Sequence, residues 1–249
     1  MSRLWLGLLV VLLTACSSGT AANQARTSPP QASGPPITYV AIGASETVGV
    51  GAADPTHDAW PQVFFRTALP RSTVFYNFGI PGATVAIALS DELSDALSVQ
   101  PSLVTVWLNV NDLIAGESAA VYENQLDELV HALRRGGAAR VLVANTPHLD
   151  QLPAYIECRA GTAQPGITCP AQTAPTPDVL NSSVAAYNAS IARVVQREGA
   201  ILVDLNSQGE VPDLHPDWVS SDGFHPSTSG YAAVAAEFAA ALKSAPAQP

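Results

Sequence analysis

The sequence predicts an α/β fold, with one parallel β-sheet covered by helices on both faces. Two observations carry this expectation. Five apolar, β-branched runs recur along the chain, near-continuous in their middles rather than alternating, as in strands buried on both sides. Between them lie stretches with apolar residues at helical spacing, and strands alternating with helices imply parallel pairing through crossovers.

The strands are expected over residues 37–43, 73–79, 103–110, 140–146 and 200–205. After the first, Trp60, Val63, Phe64 and Ala68 share one helical face, and a second helix is expected over 83–97. The clearest helix is 118–135. Its Tyr122, Leu126, Leu129, Val130 and Leu133 form an apolar face opposite Glu123, Asp127 and Glu128. It stops in Arg134-Arg135-Gly136-Gly137, cations followed by glycine. A fourth helix spans 177–197, with Val184, Tyr187, Ile191, Val194 and Val195 inward, and a last one spans 227–243. Residues 148–176, rich in Pro, Thr, Gln and Gly, are expected to be a long loop bordering the functional edge. Trp60 and Trp107 are expected in the core.

The first 36 residues read as address and tether. Met1-Ser2-Arg3 is a short basic start, 4–13 is an apolar run, and Leu13-Thr14-Ala15-Cys16 follows. This is the pattern of a secretory signal at 1–15. The apolar run falls short of the roughly 20 residues a membrane-spanning helix needs. Cys16 after Leu-Thr-Ala looks like a bacterial lipobox, with Cys16 as the lipidated first residue of the mature chain; the other reading is an ordinary secretory signal. Residues 16–36 carry no large apolar side chain and read as a flexible tether. The remainder, 37–245, suits a single domain.

The chain of 249 residues has a net charge of −10, which argues against binding nucleic acid. Of its three cysteines, Cys158 and Cys169 remain once Cys16 is set aside. An even pair in an exported chain suggests a disulfide, and the spacing does not suit a metal site. No metal and no cofactor is expected. A monomer is expected.

Chemistry concentrates in two segments. Ile42-Gly43-Ala44-Ser45-Glu46 puts a serine just after the first strand, and Asp222-Gly223-Phe224-His225-Pro226 puts an aspartate three residues before a histidine. Ser45 as nucleophile needs a base; His225 on a loop can supply it, and Asp222 can fix its tautomer. Right-handed crossovers put every strand's C-terminal end on one edge, where open sheets bind ligands. Ser45, Gly79, Asn111 and the Pro147-His148 pair all fall there. A backbone amide at Gly79 and the Asn111 carboxamide supply uncharged donors for an oxyanion. His148 either lines the pocket or is a loop residue; His57, His131 and His215 are expected on the surface, and Asp204 is expected to be structural, its other reading being the place of Asp222.

Four blocks in order, around Ser45, Gly79, Asn111 and His225, resemble the SGNH hydrolase superfamily, the GDSL-type lipases and esterases. The Asp-x-x-His pattern is met by Asp222 and His225. The resemblance covers nearly all of 37–242. It implies a flavodoxin-like three-layer α/β/α sandwich with five parallel strands, and an oxyanion hole from the Ser45 amide, the Gly79 amide and the Asn111 side chain. There are two departures from the pattern. Gly-Asp-Ser-Leu is Gly43-Ala44-Ser45-Glu46 here, and the third block begins with Asn109 instead of glycine. The expected activity is hydrolysis of carboxylic esters through an acyl-enzyme, on the extracytoplasmic side of a membrane that holds lipidated Cys16. Because 148–176 is polar, short-chain or O-acetyl esters, on small molecules or glycans, are the expected substrates. The alternative is a non-catalytic lipoprotein that uses the same scaffold to bind carbohydrate or a cell-wall partner.

Overall fold

The computed structural model describes residues 36–169, 174–207 and 215–245. The expected signal at 1–15, Cys16, and all but the last residue of the 16–36 tether lie outside the described residues.

Five strands form one sheet: β1 (Thr38–Gly43), β2 (Val74–Asn77), β3 (Leu103–Trp107), β4 (Arg140–Ala144) and β5 (Ile201–Val203). Their order is β2-β1-β3-β4-β5, and every pairing is parallel. The chain leaves β1 to one side to make β2, then crosses back to β3 on the other. The order therefore reverses between β1 and β3, and the crevice at their C-terminal ends is where open sheets take ligands.

Strand alternation divides the core in two. Val40 and Ile42 of β1, with Val104, Val106, Val141 and Val143, face one helical layer. That layer holds α7 (Ala119–Arg134), α9 (Pro177–Glu198) and the segment 85–98. Tyr39, Ala41, Leu142 and Ala144 face the other, made by α3 (Trp60–Ala68) and α10 (Thr228–Ser244). There Trp60 stacks on Phe238 with ring centroids 4.1 Å apart. Burying side chains of this size stabilises by about 1.5–3 kcal/mol each. Trp60 and Trp107 are both buried, as expected.

Two expected elements differ. The helix over 83–97 is broken into α4 (Val85–Ile87), a π turn (Ala88–Glu92) and α5 (Leu93–Ser98). The extra residue per turn brings Glu92 inward, where Oε2 accepts the Gly43 amide at 3.0 Å. The stretch 148–176 is not one loop. It contains a 3-10 turn (Leu149–Gln151) and α8 (Pro153–Ala160). Leu149 is buried with Val110, Leu180 and Val184, and Leu152, Tyr155 and Phe224 pack on them. The polar composition of the segment concealed this small apolar set. Cys158 and Cys169 form a disulfide, with Cα atoms 5.4 Å apart, that ties the end of α8 to the chain after it.

Candidate active site

At the end of β1 the chain must turn at once into α1 (Ser45–Val48). Gly43 makes the turn possible, because a Cβ there would lie 2.1 Å from Thr47 Oγ1 and 2.8 Å from the Trp107 carbonyl. Ser45 is thereby the first residue of α1. Its amide has no intrahelical acceptor, as for any first-turn amide.

His225 comes from the loop before α10. That loop closes on itself through the amide of Ser220 to the carbonyl of His225 at 2.8 Å, and the amide of Ser227 to the carbonyl of Trp218 at 2.8 Å. Ser227 then caps α10, accepting the Gly230 amide at 3.2 Å. Within the loop, Asp222 Oδ1 accepts from the amides of Phe224 and His225 and from Ser220 Oγ, at 2.8, 2.9 and 2.8 Å. Its other oxygen faces His225 Nδ1 at 2.6 Å. Burial pushes the Asp222 carboxyl up, but the hydrogen bonds from His225, Phe224 and Ser220 outweigh it and hold the group below the usual carboxylate range.

The structure brings the two segments together. His225 Nε2 lies 2.9 Å from Ser45 Oγ across 180 residues of sequence. Asp222, His225 and Ser45 thus stand in one hydrogen-bonded line. With Nδ1 bonded to a carboxylate, the neutral ring carries its proton there and leaves Nε2 free to accept from Ser45.

Of the expected oxyanion donors, Asn111 is in α6 (Val110–Ile114), directly after β3. Its Nδ2 donates to the Ala83 carbonyl at 3.0 Å. A carboxamide nitrogen has two protons, so one remains for a ligand. Gly79 requires a correction. Its amide donates to Asn77 Oδ1 at 3.0 Å and is already used. Gly79 is glycine for packing, since a Cβ there would lie 2.9 Å from Thr47 Cγ2. The Gly82 amide, next to the Ala83 that Asn111 grips, has no protein acceptor among the described residues. Gly82 has φ +81°, and Ala83 donates to the Ile80 carbonyl at 2.9 Å. This is the turn that Pro81-Gly82 encodes, with glycine where φ must be positive. That dipeptide was the available signal for Gly82.

The two departures in the sequence blocks are accommodated locally. Ala44 is buried, and its carbonyl accepts from Thr47 and Val48. Asn109 has φ −168°, outside the positive-φ region that favours glycine, and its side chain donates to the Ala144 carbonyl at 3.3 Å. Two further carboxylates underpin the edge. Burial pushes Glu92 up to about 8, against the opposing pull of the Gly43 amide. Asp112, which accepts from the Val85 amide at 3.0 Å, is pushed up to about 6, again by burial.

Glu46 is a residue that the sequence left without a role. It is buried, and its Oε2 accepts from Ser45 Oγ at 3.3 Å. It also lines a cavity of about 150 Å³ between the sheet edge and α10, with Trp107, His148, Leu149, Val219 and Phe224 among the walls. His148 is therefore at a pocket, the first of its two readings. Asp204 ties Asn145 and Ser207 together, away from His225. His57 and His131 are exposed and pair with Asp58 and Glu198, and His215 stacks on Trp218. Among the described residues no cluster of His, Cys, Asp and Glu suits a metal ion, and no helix is long and apolar enough to cross a membrane.

The model of the GDSL-like lipase/acylhydrolase family matches residues 41–233. Among solved structures, TesA is 21% identical with a TM-score of 0.62, covering 83% of this chain and 98% of its own. The lipase/acylhydrolase from Enterococcus faecalis is 18% identical with a TM-score of 0.62, over 86% and 100% of the two chains. The psychrotrophic esterase EstA from Pseudoalteromonas sp., in a structure inhibited by monoethylphosphonate, is 15% identical with a TM-score of 0.60, over 83% and 97%. At these identities the likeness is one of fold. No curated protein matches the chain.

Proposed function

The chain belongs to the GDSL-like lipase/acylhydrolase family, and from that premise we propose that it is a serine hydrolase of carboxylic esters whose nucleophile is Ser45. The observation that carries the reading is the line from Asp222 Oδ2 to His225 Nδ1 to Nε2 to Ser45 Oγ, at 2.6 and 2.9 Å.

The chemistry runs as follows. Ser45 Oγ attacks the ester carbonyl while His225 Nε2 takes its proton. Asp222 holds the ring and stabilises the imidazolium. The tetrahedral oxyanion is received by the amides of Ser45 and Gly82 and the free proton of Asn111 Nδ2. Donors fixed beforehand cost no reorganisation when the charge appears, which is why such groups lower a barrier strongly. His225 returns its proton to the leaving alcohol, giving an acyl-enzyme and a free alcohol. Water, deprotonated in turn by His225, then releases the acid and restores Ser45.

Short-chain or O-acetyl esters are the proposed substrates. What supports this preference is the polar composition of 148–176, which borders the same edge. We also propose that Cys16 is lipidated and that 16–36 tethers the domain outside the membrane, on the strength of the sequence pattern alone.

The test is intact mass after treatment with a fluorophosphonate ester. One adduct is expected on the folded protein and none on Ser45→Ala or on protein unfolded beforehand. A folded wild-type sample that stays unlabelled and turns over no ester refutes the reading and favours a binding role for the scaffold.

A further inference from the structure

Glu46 follows the proposed nucleophile directly, is buried, and meets no lysine or arginine among the described residues. The charge it senses is that of His225, on the far side of Ser45. Glu46 Oε2 is 3.3 Å from Ser45 Oγ, and His225 Nε2 is 2.9 Å from the same oxygen. Two proton-bearing groups therefore compete for one hydroxyl.

A serine hydroxyl has one proton to donate and lone pairs to accept with. Two arrangements satisfy both contacts. In the first, His225 is neutral, Ser45 donates to Nε2, and a protonated Glu46 donates to Oγ. In the second, His225 is an imidazolium donating from Nε2 to Oγ, and Ser45 donates to the Glu46 carboxylate. Both hold the same number of protons. They interconvert when the Oε2–H bond breaks as a new Oγ–H bond forms, while the old Oγ–H bond breaks as Nε2–H forms. Only the first can begin acyl transfer, because the base must have Nε2 empty.

We infer that Glu46 is a positioning residue that shares one proton with His225 across Ser45, and that this sharing sets the acid limb of the rate profile. The inference rests on the Ser45–His225 reading above. The limb then belongs to the pair and not to the histidine alone.

Other titratable groups surround the pair. His225 faces Asp222 on its own loop. From α10, Tyr231 faces Glu46, but its hydroxyl donates to the Val50 carbonyl at 2.6 Å. His148 and Glu237 line the same cavity as Glu46, and Glu237 has an interaction of its own. Burial pushes the Glu46 carboxyl up, more than its own backbone amide, His225 and Ser45 pull it down.

Glu46→Gln keeps the shape and removes the charge. An anion beside a histidine favours the imidazolium. Its loss is expected to move the acid limb of kcat/KM for 4-nitrophenyl acetate to lower pH by about one unit. Glu46→Asp, which keeps a carboxylate, is expected to stay near wild type. The NMR titration midpoint of His225 follows the same order and needs no turnover. If circular dichroism finds Glu46→Gln unfolded, Glu46→Leu removes the charge in an apolar setting and carries the same expectation. A limb and a midpoint that stay in place on loss of the carboxylate overturn the inference. A wild type with neither turnover nor phosphonate adduct overturns the serine-hydrolase reading instead, and the NMR comparison still tests the shared proton.

Discussion

Glu92→Gln should make the protein's stability much less sensitive to alkali. Glu92 is held inward by the π turn, 1% exposed, with Oε2 on the Gly43 amide and Oε1 without a partner. Burial raises its carboxyl from 4.5 to about 8. The folded state thus binds this proton more tightly than the unfolded chain does. The stabilisation is fully present below pH 4.5 and is lost as pH rises through about 8. At about 1.36 kcal/mol per unit, the 3.5-unit gap amounts to roughly 5 kcal/mol in all, and about 3.5 kcal/mol between pH 5 and pH 8. Glutamine keeps an acceptor for Gly43 but does not titrate. Any constant cost of its extra N–H cancels when one variant is compared at two pH values, and Asp112 titrates alike in both proteins. Urea unfolding of wild type and Glu92→Gln at pH 5 and pH 8 measures the effect. The variant should gain about 3–4 kcal/mol on wild type between the two. A difference between the proteins that is the same at both pH values refutes the account of Glu92 as a buried, protonated acceptor.

Three other outcomes are expected. Asn111→Ala should lower kcat for an activated ester by about 10²–10³-fold, since one oxyanion donor is lost; a stopped assay with saturating substrate reads it, and an unchanged kcat would take Asn111 out of the oxyanion set. Gly230→Ala puts a Cβ 2.1 Å from the Trp218 carbonyl, so it should push the 216–227 loop off α10 and abolish phosphonate labelling while circular dichroism keeps the sheet signal. Replacing Cys158 and Cys169 by serine should cost about 3 kcal/mol on the chain-entropy account; a calorimetric midpoint that does not fall would mean that the 158–169 connection is equally constrained without its bond.

The strands and four of the helices, α3, α7, α9 and α10, were legible in the sequence because their signal is local. A buried parallel strand is a short apolar run, and β1, β3 and β4 are that and little else. The positions of Ser45, Asn111 and His225 were legible for a related reason: each falls just past a strand end or just before a helix, and topology carries those points to one edge. What stayed hidden depended on contacts between distant segments. Glu92 lies in a run that reads as helix, and only its 3.0 Å bond to Gly43 explains the π turn. The sequence pointed to Gly79 alone, and the bond from its amide to the Asn77 side chain, which leaves Gly82 as the proposed donor, shows only in the structure. Helix α8 had Pro153 at its start and Gly161 at its end, the normal punctuation of a helix, but the polar composition around them obscured it.

The proposed base, His225, and Asp222 belong to one self-bonded loop, and the proposed nucleophile, Ser45, opens the helix that follows the first strand. All five strands are complete by Val203, whereas Asp222 and His225 come later and are followed, among the described residues, by α10. A growing chain can therefore finish its sheet, with Ser45 already in its turn, and still be chemically silent. Tyr231 on Val50, Thr228 on Ala53 and His225 on Ser45 close together, as a clasp between the first strand's end and the last helix's beginning. On the serine-hydrolase reading proposed above, reactivity is then the last property the molecule acquires as it is made, and it depends on the final helix staying docked.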